Sequence, residues 1–174
     1  MPTHRRTFLK VGALAALALA AGGGIYRLAR GPVAAQRFAP DAATRTVLAA
    51  LIPAMLDGVL PREAAARAAA IGATGVRVEQ AILGLPLATQ KEVQDLFGLL
   101  ALAPARRLLA GLPEAWPEAS VLQVSAFLQH WRLHRFALPQ VAYHALHDLI
   151  IGGWYADASS WAAISYPGPI PELS

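Results

Sequence analysis

Not one of the 174 residues is a cysteine, which removes disulfides, thiolate-ligated iron–sulfur clusters and c-type haem attachment. Charge is also scarce: 15% of residues are charged against 56% hydrophobic. Acidic side chains are missing altogether before Asp41, whereas five of the fifteen basic residues (Arg5, Arg6, Lys10, Arg27 and Arg30) stand in the first 35 positions. Beyond that segment ten bases face eleven acids, a formal charge of −1. The net basicity of the chain therefore belongs to its N-terminal segment. With a balance near neutral beyond that segment, a nucleic-acid-binding reading loses its electrostatic warrant. No stretch alternates apolar and polar residues long enough for a strand, and no glycine-rich loop links a strand to a helix. Ser120, Ser125, Ser159 and Ser160 lack a base–carboxylate partnership, so nothing points to a hydrolase.

The basic segment has a distinctive order. Arg5-Arg6 is followed by Phe8-Leu9-Lys10 and then by the apolar run from Val11 to about Tyr26. This arrangement looks like a twin-arginine export signal, because an ordinary secretory signal or a short membrane anchor, the plainer readings, would not need the paired arginines at that offset. The run falls short of the ~20 residues that span a bilayer and contains Gly22-Gly23-Gly24. Small residues allow cleavage after Ala20 or after Ala35. We divide the chain into a signal and linker over 1–35 and one domain over 36–174, exported to the periplasm. The twin-arginine route carries folded proteins, so the remaining chain either holds a cofactor or travels with a protein that does.

Abundant alanine and leucine favour helix. Asp41 is a good N-cap for a first helix whose stripe is Val47, Leu48, Leu51, Ile52 and Met55, with Pro53 expected to kink it or end it near Ile52. A second helix is expected from Pro61 to Ala70. Gly72 and Gly75 should interrupt before a third bearing Val78, Ile82 and Leu85. Thr89 with Glu92 reads as a capping box for the next, with Val93, Leu96, Phe97 and Leu100 on its apolar face. A short basic helix, Arg106 to Leu109, should end at Gly111. Ser120 with Gln123 caps a helix bearing Val124, Phe127, Leu128 and Trp131. Pro139 opens another, with Val141, Ala145, Leu146, Leu149 and Ile150, stopped by Gly152-Gly153. The expectation is an all-α fold, a small orthogonal bundle of about six or seven helices with an irregular aromatic C-terminal tail and one turn of helix from Asp157 to Ile164.

Two groups of residues could carry function. His130 and His134 are four apart on one helix, and His144 and His147 three apart on the next, so each pair shares a face. Converging, they would offer a metal or haem site. Arg132 and Arg135 beside His134 oppose a cation, and structural or partner-contact histidines are the commoner outcome. The second group is aromatic. Trp154, Tyr155, Trp161 and Tyr166 lie among short polar and turn residues, where rings either anchor a protein partner or fold back on the domain's own core.

The ending Tyr143-His144-Ala145-Leu146-His147-Asp148, Gly153-Trp154-Tyr155-Ala156-Asp157, Trp161-Ala162-Ala163-Ile164 and Tyr166-Pro167-Gly168-Pro169 resembles a known family. It is similar to the small (gamma) subunits of periplasmic FAD-dependent sugar and polyol dehydrogenases, such as gluconate 2-dehydrogenase subunit 3 and the sorbitol dehydrogenase small subunit. The leader and Leu51-Ile52-Pro53-Ala54 agree with it; Ala54-Met55-Leu56-Asp57 departs from the acidic stretch found there in some relatives. The resemblance implies a non-catalytic helical subunit with no cofactor of its own. It would form a heterodimer with a large FAD-dependent flavoprotein dehydrogenase of the glucose–methanol–choline type, with a cytochrome subunit as a further member. It would aid the maturation of that partner and carry it to the twin-arginine translocase. The expected site residues are Arg5, Arg6, Phe8, Leu9 and Lys10 for export, and Trp154, Tyr155, Trp161, Tyr166 and Pro167 for the partner, with Arg132 and Arg135 as lesser candidates. The rivals are a histidine-ligated metal or haem electron-transfer protein, through His130, His134, His144 and His147, and a stand-alone periplasmic binding protein.

Overall fold

The computed structural model describes residues 37–164. The export residues Arg5, Arg6, Phe8, Leu9 and Lys10, the linker, and Tyr166 and Pro167 of the tail lie outside the described residues. The described chain is all-α: α1 Ala42–Met55, α2 Ala64–Leu83, α3 Leu87–Ala101, a single turn α4 Ala103–Ala105 continued by a π turn Arg106–Ala110, α5 Val121–Arg132, α6 Ala137–Tyr155, and a 3₁₀ turn Ala158–Ile164. Six α-helices make the small bundle expected from the sequence.

Helix α1 is the hub, packing against α2, α3, α5 and α6. Its stripe explains this: Val47, Leu48, Leu51 and Ile52 are all buried at three- and four-residue spacing, leaving one apolar face for several neighbours. Asp41 caps it as expected, Oδ1 accepting from the Thr44 N–H at 2.7 Å. The helix does not stop near Ile52 but runs to Met55 through Pro53. A proline in the last turn deprives only the Ala49 carbonyl of its donor, and Ala49 is exposed to solvent.

The expected second and third helices are one. Gly72 and Gly75 lie inside α2, which runs from its Glu63 cap to Leu83. Each glycine costs about 1 kcal/mol against alanine, too little to break a helix that alanine favours and tertiary packing holds. Gly75 is one such packing point, close to Cδ1 of Ile52. The stop expected at Gly152-Gly153 is likewise absent, since α6 continues to Tyr155. Gly153 is instead where α6 crosses α2, the most extensive helix pair in the fold.

The Thr89–Glu92 box does not start α3. That helix begins at Leu87 behind Pro86, without a side-chain cap. Buried Gln90 supplies the tie instead. Its Nε2 donates to the carbonyls of Leu83 (3.1 Å) and Leu85 (2.8 Å), and its Oε1 accepts from the Phe38 N–H at 2.9 Å. The Ser120–Gln123 capping box is present in both directions. Trp116, Phe127 and Trp131 stack edge to face, with centroids 6.0 and 4.7 Å apart. Both indoles are satisfied: Trp116 Nε1 donates to the Leu100 carbonyl at 2.8 Å, and Trp131 Nε1 to that of Leu109 at 2.9 Å. The first bond ties the end of α3 to the segment leading into α5, and the second ties the π turn to α5 itself.

Candidate partner-binding surface

The aromatic residues near the C-terminus are less irregular than expected. Trp154 and Tyr155 form the last turn of α6, not the beginning of a tail. Helix geometry separates their roles, because adjacent residues face about 100° apart. Trp154 packs against the core cluster; Tyr155 is half-buried and outside that packing set.

After Tyr155 the chain is fastened back onto the helix. The Ala156 N–H donates to the Gly152 carbonyl at 2.9 Å, and Asp157 then organises the 3₁₀ turn. Its carboxylate accepts from the Ser159 N–H at 3.0 Å and pairs with Arg77 of α2. The Ser160 hydroxyl donates to the Asp157 carbonyl at 2.7 Å. Hydrogen bonds from the Ser159 backbone and side chain, with the Arg77 guanidinium beside them, hold the Asp157 carboxyl below its ordinary range. Trp161 Nε1 donates to the Tyr155 carbonyl at 2.7 Å, satisfying one of the acceptors that every helix C-terminus leaves open. Trp154, Tyr155 and Trp161 thus come together at one end of α6, all three half-buried, with Trp154 packed on the core cluster.

The histidines separate into pairs. The His130 and His134 rings stand edge to face at 5.1 Å; His144 and His147 flank Tyr143 at 5.3 and 5.8 Å. His147 Nδ1 lies 3.0 Å from Asp148 Oδ1. His134 is used by its own corner, its Nδ1 accepting from the Phe136 N–H at 3.1 Å and its carbonyl from Gln140 Nε2 at 2.6 Å. Among the described residues no three histidine or carboxylate side chains gather where a metal would be held. Arg132 and Arg135 are both exposed, and the Arg135 guanidinium carbon lies 4.5 Å above the Phe136 ring.

Two features were not anticipated from the residues. One is an open recess of about 380 Å³ between α1 and the segment leading into α5, lined by Thr46, Ala49, Pro53, Trp116, Pro117 and Val121. The other is Arg106, whose side chain is buried with Nε unpaired. Among the described residues its side chain has one acceptor, the Pro113 carbonyl, 3.5 Å from Arg106 Nη2 and also 3.5 Å from Arg107 Nε. Among the described residues no helix is long and apolar enough to cross a membrane.

Compared with known proteins, the chain matches no family model, no curated protein and no solved structure.

Proposed function

We propose that the chain is the non-catalytic small subunit of a periplasmic flavoprotein dehydrogenase. It binds a large FAD-containing partner of the glucose–methanol–choline type in the cytoplasm, aids its maturation and carries it through the twin-arginine route. The FAD belongs to the partner. The observation that carries this reading is the conjunction, in one chain, of Arg5-Arg6 with Phe8-Leu9-Lys10 and an ending that runs Gly153-Trp154-Tyr155, Trp161 and Tyr166-Pro167-Gly168-Pro169.

Three further points support it. A twin-arginine leader serves a folded cargo, yet the chain behind it is cysteine-free and near-neutral, so the cargo is better sought in a second protein. The aromatic end of α6 offers Tyr155 and Trp161 partly open and already ordered, which lowers the entropy lost on docking. A partner joined there shares the one export signal.

The test is co-expression with a large flavoprotein dehydrogenase of this type that lacks an export signal of its own. Arg5→Lys combined with Arg6→Lys should leave the pair assembled, yellow and cytoplasmic, whereas the unaltered leader delivers both to the periplasm. Partner activity reaching the periplasm despite the double change would refute the carrier role. Failure to co-purify a yellow protein with either form would refute the subunit role.

A further inference from the structure

The π turn and the α5–α6 corner expose large apolar side chains that the fold does not use. Leu108 is 84% exposed, Leu133 73% and Phe136 57%. These residues belong to two separate connections, but the Trp131–Leu109 hydrogen bond joins the π turn to the last turn of α5, so the two sets adjoin. The corner is built to hold its shape. The Leu133 N–H donates to the Gln129 carbonyl, and His134 accepts at Nδ1 and at its carbonyl from Phe136 and Gln140. Leu133 and Phe136 are therefore presented by a rigid turn.

The charge around them has one sign. Arg107, Arg132 and Arg135 are exposed and Arg106 lies beneath, and among the described residues none of the four is paired with a carboxylate. The sequence has no acidic residue from Leu96 to Pro113 or from Ala119 to His147. The nearest acid in sequence, Glu114, accepts from Gln123 Nε2 at 3.2 Å. Arg106 and Arg107 share one neutral acceptor, the Pro113 carbonyl, so among the described residues this end carries positive charge with no internal counter-ion.

We propose that this end of the molecule docks on an anionic phospholipid bilayer. Leucine and phenylalanine at turn tips enter the boundary between headgroups and acyl chains, while guanidiniums at the same level bind lipid phosphates. Arg135 over the Phe136 ring combines both in one unit. An acidic protein surface is the competing occupant, since interfaces also favour arginine, and labels placed at the corner distinguish the two. The contact is independent of the aromatic end of α6, and it assigns Arg132 and Arg135, the lesser candidates for the flavoprotein contact, to lipid phosphates instead.

Bulk vesicle binding by the full chain would not assign the contact, since residues 11–26 are also apolar. The lack of cysteine allows a site-specific test. Leu133→Cys and, separately, Phe136→Cys are labelled with an environment-sensitive fluorophore in the full-length chain. Leu122→Cys is the internal control, being 80% exposed but about 16 Å away along α5. With phosphatidylglycerol-containing vesicles, the labels at 133 and 136 should shift to the blue and be shielded from an aqueous quencher, while the label at 122 stays in water. Pure phosphatidylcholine vesicles, or inorganic phosphate at equal ionic strength, should give no shift. Replacing Arg107, Arg132 and Arg135 together by Gln should lower the partition measured at position 133 on the order of 100-fold, at about fivefold for each guanidinium.

Labels at 133 and 136 that remain in water while the chain is vesicle-bound would overturn the proposal. So would an equal response at 122, a response to phosphate alone, or burial of these labels only on a purified acidic protein. Circular dichroism of each labelled chain checks that the fold is kept.

Discussion

A methyl group placed on Gly153 would stand 3.0 Å from Cγ2 of Val78 and 3.4 Å from its backbone nitrogen. Val78 is fully buried at the α2–α6 crossing and cannot retreat easily. Alanine at 153 gains about 1 kcal/mol of helix propensity over glycine but adds about 1–3 kcal/mol of overpacking, so the variant should lose stability. Gly152, its neighbour, has open space at the same point. Gly152→Ala should therefore stabilise by about 0.5–1 kcal/mol. Urea unfolding of the two variants should move the midpoints in opposite directions; equal shifts would mean that the crossing does not need its glycine.

Gln90 closes three bonds, one to the Phe38 N–H and two to the Leu83 and Leu85 carbonyls. Gln90→Leu preserves most of the volume but leaves the Phe38 N–H and the Leu83 and Leu85 carbonyls without this partner. Buried groups stripped of partners cost about 1–3 kcal/mol each, so the variant should lose at least about 2 kcal/mol. The loss should be accompanied by faster hydrogen exchange at the Phe38 amide, the point where the chain enters the domain. Unchanged exchange at Phe38 would show that its N–H has another acceptor.

These two sites also show where sequence reading succeeds and where it stops. The apolar stripes of α1, α3 and α5 were legible because burial on one face imposes a helical period that residue types record directly, as at Val47, Leu51, Val124 and Trp131. The Ser120–Gln123 box was legible because both partners lie in one turn. Gly75 and Gly153 read as breaks because a glycine signals equally a place where a helix ends and a place where two helices approach. Only Ile52 and Val78, distant from them in sequence, decide between the two, while Gly72 has open space beside it and is simply tolerated inside α2. Thr89–Glu92 matched the capping pattern but lost to Pro86 and to Gln90, whose partners lie up to 52 residues away. The aromatic end of α6 was found by its residue types, yet the inward and outward roles of Trp154 and Tyr155 depend on the phase of a helix that sequence had ended too early.

The Asp157 turn should make stability depend on pH in a defined direction. Its carboxyl titrates lower in the folded chain than in the unfolded one, so protons bind more readily to the unfolded state in acid. The stabilisation is complete above the ordinary aspartate range and disappears as pH falls through the lower folded value. Asp157→Asn should therefore be less stable than the parent at neutral pH, with the difference narrowing as pH falls through that window. Unfolding midpoints across the acid range check this; a difference that persists undiminished below the window would assign the effect to packing instead of charge.

Tyr155 and Trp154 allow the partner surface to be separated from the fold itself. Trp154 packs on the core, so Trp154→Ala should cost about 3 kcal/mol of stability and weaken any complex only as a consequence. Tyr155 is half-buried and outside that packing, and its carbonyl, not its ring, receives the Trp161 indole. Tyr155→Ala should therefore change stability by no more than about 0.5 kcal/mol. On the subunit reading it should nevertheless weaken capture of the flavoprotein by roughly 2 kcal/mol, as truncation of an interface tyrosine does. Trp161→Phe is the complementary probe. It keeps an aromatic ring but removes the bond to the Tyr155 carbonyl, which should loosen the 3₁₀ turn by about 1 kcal/mol, read as faster exchange at the Ser160 amide. Titrating the purified flavoprotein against each variant, with unfolding curves measured beside it, separates the cases. If Tyr155→Ala binds as tightly as the parent chain while Trp154→Ala merely unfolds, the aromatic end of α6 is closure for this domain and the flavoprotein docks elsewhere.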